Sequence, residues 1–257
     1  MDKTIHSLGE FIAYVQECKN KDYPSMATDK RLDKIIYRGH ANKSWKCLPK
    51  LFRQQEWYEN EKIIINEIIR RCPNEFEGLS AFEKLVKMQH YGAPTRLLDF
   101  TGNPLIALYF ACDDNTQKEE DGEVLLGNLP MLYEEQIPIE VFLKDLFPDR
   151  QNQFIEVNAK VVDPVLASSN AMGIRAKLRN ERIKNQDGYF VFFTYSNRYI
   201  TELFNPLEAN PFIKENIIIP SECKKNILRE LNDYGINRAY VYPELENQIK
   251  EICRKYD

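Results

Sequence analysis

Residues 103–112 read Asn-Pro-Leu-Ile-Ala-Leu-Tyr-Phe-Ala-Cys, inside a stretch, 101–112, that carries no charge. Asn is a good helix N-cap and Pro suits the first helical position, so the run predicts a helix opening at Pro104. A helix that is apolar on every side has to be covered on every side. It is too short to cross a bilayer, which takes about 20 apolar residues, so the chain must wrap a core around it. No other window approaches ~18 uncharged apolar residues, and no membrane span is expected.

The flanking periodicities say what wraps it. Ser7-Leu-Gly-Glu10 is a capping box, and Leu8, Phe11, Ile12 and Val15 follow at helical spacing, which predicts an N-terminal helix over 7–19. A polar loop over 20–34 leads to a short strand, Ile35-Ile36-Tyr37, running into Arg38-Gly39-His40. On a strand Arg38 and His40 share one face and Tyr37 takes the other. A helix with a wide apolar face covers 59–71, and a second capping box, Ser80 to Glu83, opens a helix that Gly92 and Pro94 stop. Residues 95–101 are extended, with Thr95, Leu97, Asp99 and Thr101 on one face. Further strands are predicted at 123–129, 154–162, 188–194, 216–219 and 238–242. Further helices are predicted at 138–147, 166–180, 221–234 and 243–256, the last with Leu245, Ile249 and Ile252 inward. Helices dominate the first half and strands the second, without βαβ alternation. The fold class is therefore α+β, one domain with mixed or antiparallel sheets and N-terminal helices.

Charge is unevenly placed. Residues 1–100 hold 17 basic and 14 acidic side chains, residues 113–149 hold 2 and 11, and residues 150–257 hold 16 and 14. The net charge of −4 thus belongs to 113–149, read as an acidic insertion that covers the domain or faces partners. The mildly basic remainder is compatible with an anionic ligand. The six Cys form no CxxC pair and only three His exist, so no metal centre is expected. The opening MDKTIHSLGEF has no basic stretch ahead of an apolar one, so a secretory signal is not expected and a cytoplasmic location with reduced thiols is.

Polar chemistry concentrates in Tyr37-Arg38-Gly39-His40 and in the stretch from Gln89 to Thr101. Arg38 suits a bidentate grip on phosphate or carboxylate, and equally a structural ion pair. His40 suits a ribose, a phosphate or acid–base work, and equally a structural role. Arg96 and Asp99 are read as a buried pair that locks the loop. His90 stands where it either caps helix carbonyls or touches substrate. The phosphate-binding glycine motifs and the G-x-S-x-G elbow are absent, and no basic–aromatic alternation marks a nucleic-acid platform.

These same residues carry a resemblance. Tyr37-Arg38-Gly39-His40, Leu48-Pro49 with Leu51-Phe52-Arg53, the block MQHYGAPTRLLDFTGNPLIALYFA, then Arg182 with Gln186-Asp-Gly188-Tyr-Phe190 and the closing GINRAYVYPELENQIKEI resemble the FRG-domain family across about 35–250. Phe100 stands where that family usually has Trp. A more distant resemblance is to ADP-ribosyltransferases, which implies NAD as substrate. By order of motifs it implies NAD binding at Arg38, Gly39, His40, Thr95 and Thr101, and catalytic roles for Gln186, Asp99 and His90, with Arg96 structural. The Ser-Thr-Ser and Glu-x-Glu signatures of those enzymes are missing, and Gln186 cannot act as a base. The resemblance implies a bacterial or phage toxin or defence effector. Its ligand would be a nucleotide-type molecule, its target a protein or nucleic acid, and a neutralising protein its partner. The alternatives are a metal-independent nuclease or nucleotide-binding enzyme using Arg38, His40 and His90, and a non-catalytic interaction module.

Overall fold

Strands β1 (Lys3–Thr4), β2 (Asp33–His40), β3 (Leu97–Thr101), β4 (Gly122–Tyr133), β5 (Ala171–Arg175), β6 (Gly188–Phe193) and β7 (Ile213–Ile219) join one sheet. The structure is a computed structural model, and it describes residues 2–24, 30–133, 171–177, 181–193 and 212–253. The strand order is β1-β7-β4-β2-β3-β6-β5, and β5 also pairs with β4. The five strands β4, β2, β3, β6 and β5 therefore close into a small barrel-like ring, with β7 and β1 extending from β4. The pairs β1–β7 and β4–β5 are parallel and the others antiparallel. The domain is α+β.

The described helices are α1 (Leu8–Lys19), α2 (Gln55–Glu59), α3 (Glu61–Arg71), α4 (Ala81–His90), α5 (Pro104–Cys112), α6 (Glu181–Asn185), α7 (Ser221–Asp233), α8 (Arg238–Val241) and α9 (Leu245–Cys253). Helix α5 is the apolar run, capped by the Asn103 side chain accepting from the Leu105 amide. It crosses β2 so closely that a Cβ on Gly39 would stand 1.9 Å from the Ala107 carbonyl oxygen. Only glycine admits that approach, and the approach buries Ile106, Ala107, Leu108 and Ala111 completely. Helices α1 and α7 close the other sides of α5 through Phe11, Val15, Ile227 and Leu231. Inside the ring, Ile36, Leu98, Phe100, Val191, Phe193 and Phe212 form a second core. A third lies outside it, where α3 and α4 pack Ile65, Phe82 and Leu85 against Leu97, Phe190 and Phe192.

The pleat of β3 decides the site. Leu98 and Phe100 enter the ring core, while Leu97 packs under α4. Asp99 and Thr101, on the Leu97 face, line an open cleft. Strand β2 meets β3 in register at one residue pair, Tyr37 with Thr101, and the cleft opens where the two strands part.

Four expectations need correction. Residues 171–175 are a strand, not helix. β5 is paired on both edges and its first four residues are buried, so it reads as an apolar run without alternation. Residues 238–241 are a short helix, not a strand. Asn237 caps it by accepting from the Tyr240 amide, while the Arg-Ala-Tyr-Val-Tyr alternation imitates a strand. On α9 the stripe expected inward is outward: Leu245, Ile249 and Ile252 are 74%, 51% and 58% exposed. The helix is held instead by polar bonds such as the Gln248 amide donating to the Ala239 carbonyl. The acidic segment is not wholly an insertion, because β4 occupies its middle and pairs with β2, β5 and β7. The helix expected at 138–147, the strand at 154–162 and residue 194 lie outside the described residues.

Candidate functional site

The cleft has a volume of about 390 Å³ and takes its walls from β2, β3, the end of α4, the end of α5, α6 and the segment after α8. That size suits a small-molecule ligand. Arg38 projects into it from β2. Its Nε donates to His40 Nε2 at 2.9 Å, and Nη1 donates to the Asp99 carbonyl. The Arg38 side chain makes no ion pair among the described residues.

His40 lies behind this wall, 2% exposed. Arginine can only donate, so His40 Nε2 must accept and Nδ1 must carry the proton. Nδ1 then donates to Glu123 Oε1 at 2.7 Å. Burial, with Arg38 and Arg53 nearby, pushes the imidazole pKa down to about 3. Burial also lifts Glu123 to about 7. Arg38, His40 and Glu123 thus form one relay that holds the guanidinium in place. Both ring nitrogens of His40 are engaged within the protein, and the residue is buried behind the cleft wall and not part of its lining.

Asp99 opens onto the cleft beside Arg38. Its walls strip water from the carboxyl and raise its pKa, against the pull of Arg38, the Gln89 amide and Arg182. Gln89 Nε2 donates to Asp99 Oδ1 at 2.8 Å, and the Thr95 hydroxyl donates to Gln89 Oε1 at 2.5 Å. That second bond fixes which end of the Gln89 amide faces Asp99. Thr95 is 2% exposed and does not line the cleft, so its expected place against a ligand is corrected to one behind Gln89.

Thr101 lines the cleft, but its hydroxyl is engaged: it donates to the Gln186 carbonyl at 2.5 Å and accepts from the Asn103 amide at 2.9 Å. Gln186 lines the cleft as well, with Nε2 donating to the Val241 carbonyl at 3.0 Å. The turn that brings it there passes through Asp187 at φ 43°, a conformation Asp tolerates better than most residues. Gly39 and the exposed His90 complete the expected residues found in the lining.

The Arg96–Asp99 pair does not form. Arg96 grips Glu61, the first residue of α3, with Nε at 2.8 Å from both carboxylate oxygens and Nη2 at 2.6 Å from Oε2. Its guanidinium also lies 5.7 Å and 5.5 Å over the Phe52 and Tyr58 rings. The partner of Arg96 is thus Glu61 on α3 and not Asp99.

Several cleft residues carried no role in the sequence reading. Trp45, 45% exposed, stands on one rim. Arg182 lies 4.9 Å over the Tyr242 ring, and Tyr242 meets Phe110 edge-on at 6.1 Å. Asp113 and Asp114 line the far side, Asp113 held by the Tyr109 hydroxyl at 2.5 Å. Arg182, Gln89 and Tyr242 stand inside quoted motif blocks; Trp45 had no local signal beyond its aromatic character. Among the described residues no group of His, Cys, Asp and Glu is arranged to hold a metal ion.

The fold and the cleft define an α+β domain with a polar, aromatic-walled cleft whose first wall is a Tyr-Arg-Gly strand. Residues 33–120 match the family model of the FRG domain, so the chain carries an FRG domain there. The matched stretch supplies Arg38, Trp45, Gln89, Asp99 and Thr101, whereas Arg182, Gln186 and Tyr242 lie beyond it. No curated protein and no solved structure matches the chain. No described helix is long and apolar enough to cross a membrane.

Proposed function

We propose that the cleft binds NAD and that the chain is an ADP-ribosyltransferase-like enzyme. The observation that carries this reading is that Arg38 from β2, Asp99 from β3 and Arg182 from α6, far apart in sequence, line one cleft with the aromatic rings of Trp45, Phe110 and Tyr242. Guanidiniums suit a pyrophosphate and aromatic walls suit flat heterocycles. In the reaction the bond between ribose C1′ and nicotinamide nitrogen breaks. Its electron pair leaves with nicotinamide, and a nucleophile on the acceptor attacks C1′. Of the cleft's carboxylates, Asp99 stands beside Arg38 and would stabilise the developing positive charge, and Gln89 orients it. Gln186, whose amide is used on Val241, serves better to hold the wall than to act on the ribose. A nuclease using His40 is disfavoured, because both ring nitrogens are engaged and the imidazole stays neutral far below pH 7.

The test is to titrate the protein with NAD by calorimetry and to follow nicotinamide release by chromatography. Arg38→Ala should lose binding. Asp99→Asn should keep binding and slow release by about 10²-fold or more, the scale for removing one transition-state electrostatic contact. Toxicity on expression in bacteria, lost with Arg38→Ala, would extend the reading to an effector. Absence of NAD binding up to about 1 mM, the upper end of ordinary KM values, would sink it.

A further inference from the structure

Strands β2, β4 and β7 lie side by side and carry a row of polar side chains that begins at Arg38. His40 stands opposite Glu123 in register, and Asn216 on β7 stands opposite Leu125, two residues on from Glu123 and so on the same face. Each step of the row is a hydrogen bond. Arg38 Nε donates to His40 Nε2, His40 Nδ1 donates to Glu123 Oε1, and the Asn216 side chain bonds to the Glu123 carboxylate. His40 and Glu123 are both buried. Other charged and titratable groups act on the row. Arg53 and Cys47 come from the segment after β2, and Asp2 lies ahead of β1. Burial pushes the Cys47 thiol up to about 12, so it stays protonated through the neutral range. From the cleft, Arg38 is also shared with Asp99, which feels Arg182 as well.

The row holds one positive and one negative charge, Arg38 and Glu123, with a neutral imidazole between them. Glu123 thus offsets Arg38 from behind the cleft wall. An anion that meets Arg38 from the cleft competes for the same guanidinium and sets a like charge across from Glu123, where little water screens it. The anion therefore raises the affinity of Glu123 for a proton. Burial has already lifted Glu123 to about 7, so a modest further rise changes its protonation near neutral pH. The row also has a place for the proton. Asn216 Oδ1 is buried and takes no hydrogen bond among the described residues. An ionised Glu123 accepts from the amide nitrogen of Asn216, and a protonated Glu123 donates to the amide oxygen once that amide turns over.

We propose that Glu123 is the proton-coupled counterion of Arg38: the cleft takes its anionic ligand together with a proton from solvent, held on the Glu123 oxygen that His40 does not use and returned when the ligand leaves. The choice of ligand rests on the NAD reading of the cleft. The bound state holds the proton more tightly than the free state. The gain in affinity is therefore full below the free-state pKa of Glu123 and is lost as pH rises through the bound-state value.

Calorimetric titration with NAD in two buffers of unlike ionisation heat, from about pH 5.5 to 8.5, counts the protons bound with the ligand. NAD itself does not titrate there. A fraction of a proton should be taken up, most near pH 7, and NAD should bind more tightly at the acid end by up to about tenfold, the equivalent of one pKa unit. Glu123→Gln, which keeps an acceptor for His40, should abolish both effects. His90→Gln and Asp99→Asn, which remove the other titratable groups beside Arg38, should keep the uptake. Infrared difference spectra of the wild type should gain a protonated-carboxyl band on NAD addition, a readout that needs no variant to fold. NAD binding without proton uptake overturns the coupling and leaves the NAD reading standing. So does uptake that survives in folded Glu123→Gln or vanishes in His90→Gln or Asp99→Asn. Sulfate, an anion of fixed charge over this range, is titrated beside NAD. Sulfate taken up with a proton while NAD does not bind keeps the coupling and defeats the NAD reading, and binding of neither defeats both.

Discussion

Removing Glu61 should be the most damaging single loss of a charged side chain outside the cleft. The Glu61 side chain is 5% exposed and Arg96 14% exposed. Arg96 makes three short bonds to that carboxylate, and it also touches the Phe193 carbonyl at 3.5 Å and the two aromatic faces. Glu61→Ala therefore removes the carboxylate that takes three of the guanidinium's bonds and opens a void beside it. Breaking a buried pair by deleting one partner costs about 3–5 kcal/mol. For a chain of this size that lowers Tm by roughly 6–20 °C at about 2–4 °C per kcal/mol. Replacing both partners with apolar residues, Glu61→Leu with Arg96→Met, should cost less than either single deletion, because no charge is left behind. Asp99→Asn, which would have broken the pair expected from sequence, should change stability by no more than about 1 kcal/mol. Urea unfolding midpoints with unchanged slopes measure wild type, Glu61→Ala, Glu61→Leu, Arg96→Met, their double and Asp99→Asn. If Glu61→Ala costs under about 1 kcal/mol, or the double variant equals the sum of the singles, the buried-pair argument is wrong.

Two further outcomes follow from the packing and the relay. Gly39→Ala should abolish soluble folded protein or cost about 3 kcal/mol or more, because the new methyl meets the Ala107 and Ala111 backbone. Gly9→Ala on α1, with nothing within 4 Å, should instead gain up to about 1 kcal/mol, and circular dichroism melts compare the two. The pH dependence of stability should carry His40's signature. Its folded pKa of about 3 lies below the unfolded value of 6.5, so the unfolded chain binds a proton the fold refuses, and stability falls as pH drops from 6.5 toward 3. Glu123, raised to about 7 from 4.5, has the opposite sign and is most favourable below pH 4.5. His40→Gln keeps a donor for Glu123 and an acceptor for Arg38, and should flatten the histidine's share of the slope, at most about 1.4 kcal/mol per pH unit. Identical slopes for wild type and variant between pH 6.5 and 4 would contradict a buried neutral imidazole.

The elements legible from sequence were those whose boundaries are written locally. Ser7, Ser80 and Asn103 cap their helices as their positions imply, and the apolar α5 is buried as its composition requires. The failures share a cause. Ala171–Arg175 and Arg238–Val241 have periods that tertiary pairing overrides: the former is covered on both faces, the latter capped into one turn. The apolar stripe of α9 obeys helical spacing, but spacing cannot tell a stripe that meets the core from one that meets solvent.

The site was legible to the same depth and for the same reason. Pleat parity put Arg38 with His40, and Asp99 with Thr101, on the right faces. It could not say what they do there, because residues two apart on a strand sit only about 6.6 Å from each other and their side chains can reach one another before they reach a ligand. In each pair the deeper member, 2% exposed His40 and 3% exposed Thr101, spends its polar atoms on the protein, and the outer member keeps its charge for the cleft. Which member is deeper depends on what lies behind the strand. For β2 that is Glu123 on the neighbouring strand, and for β3 it is the Gln186 carbonyl, and neither is near in sequence. Shared face is thus a sound guide to where a site lies, while the division between ligand contact and support is set by long-range partners. Arg38, backed by the buried His40–Glu123 pair, and Asp99, backed by Gln89 and Thr95, are the residues that division leaves facing the cleft.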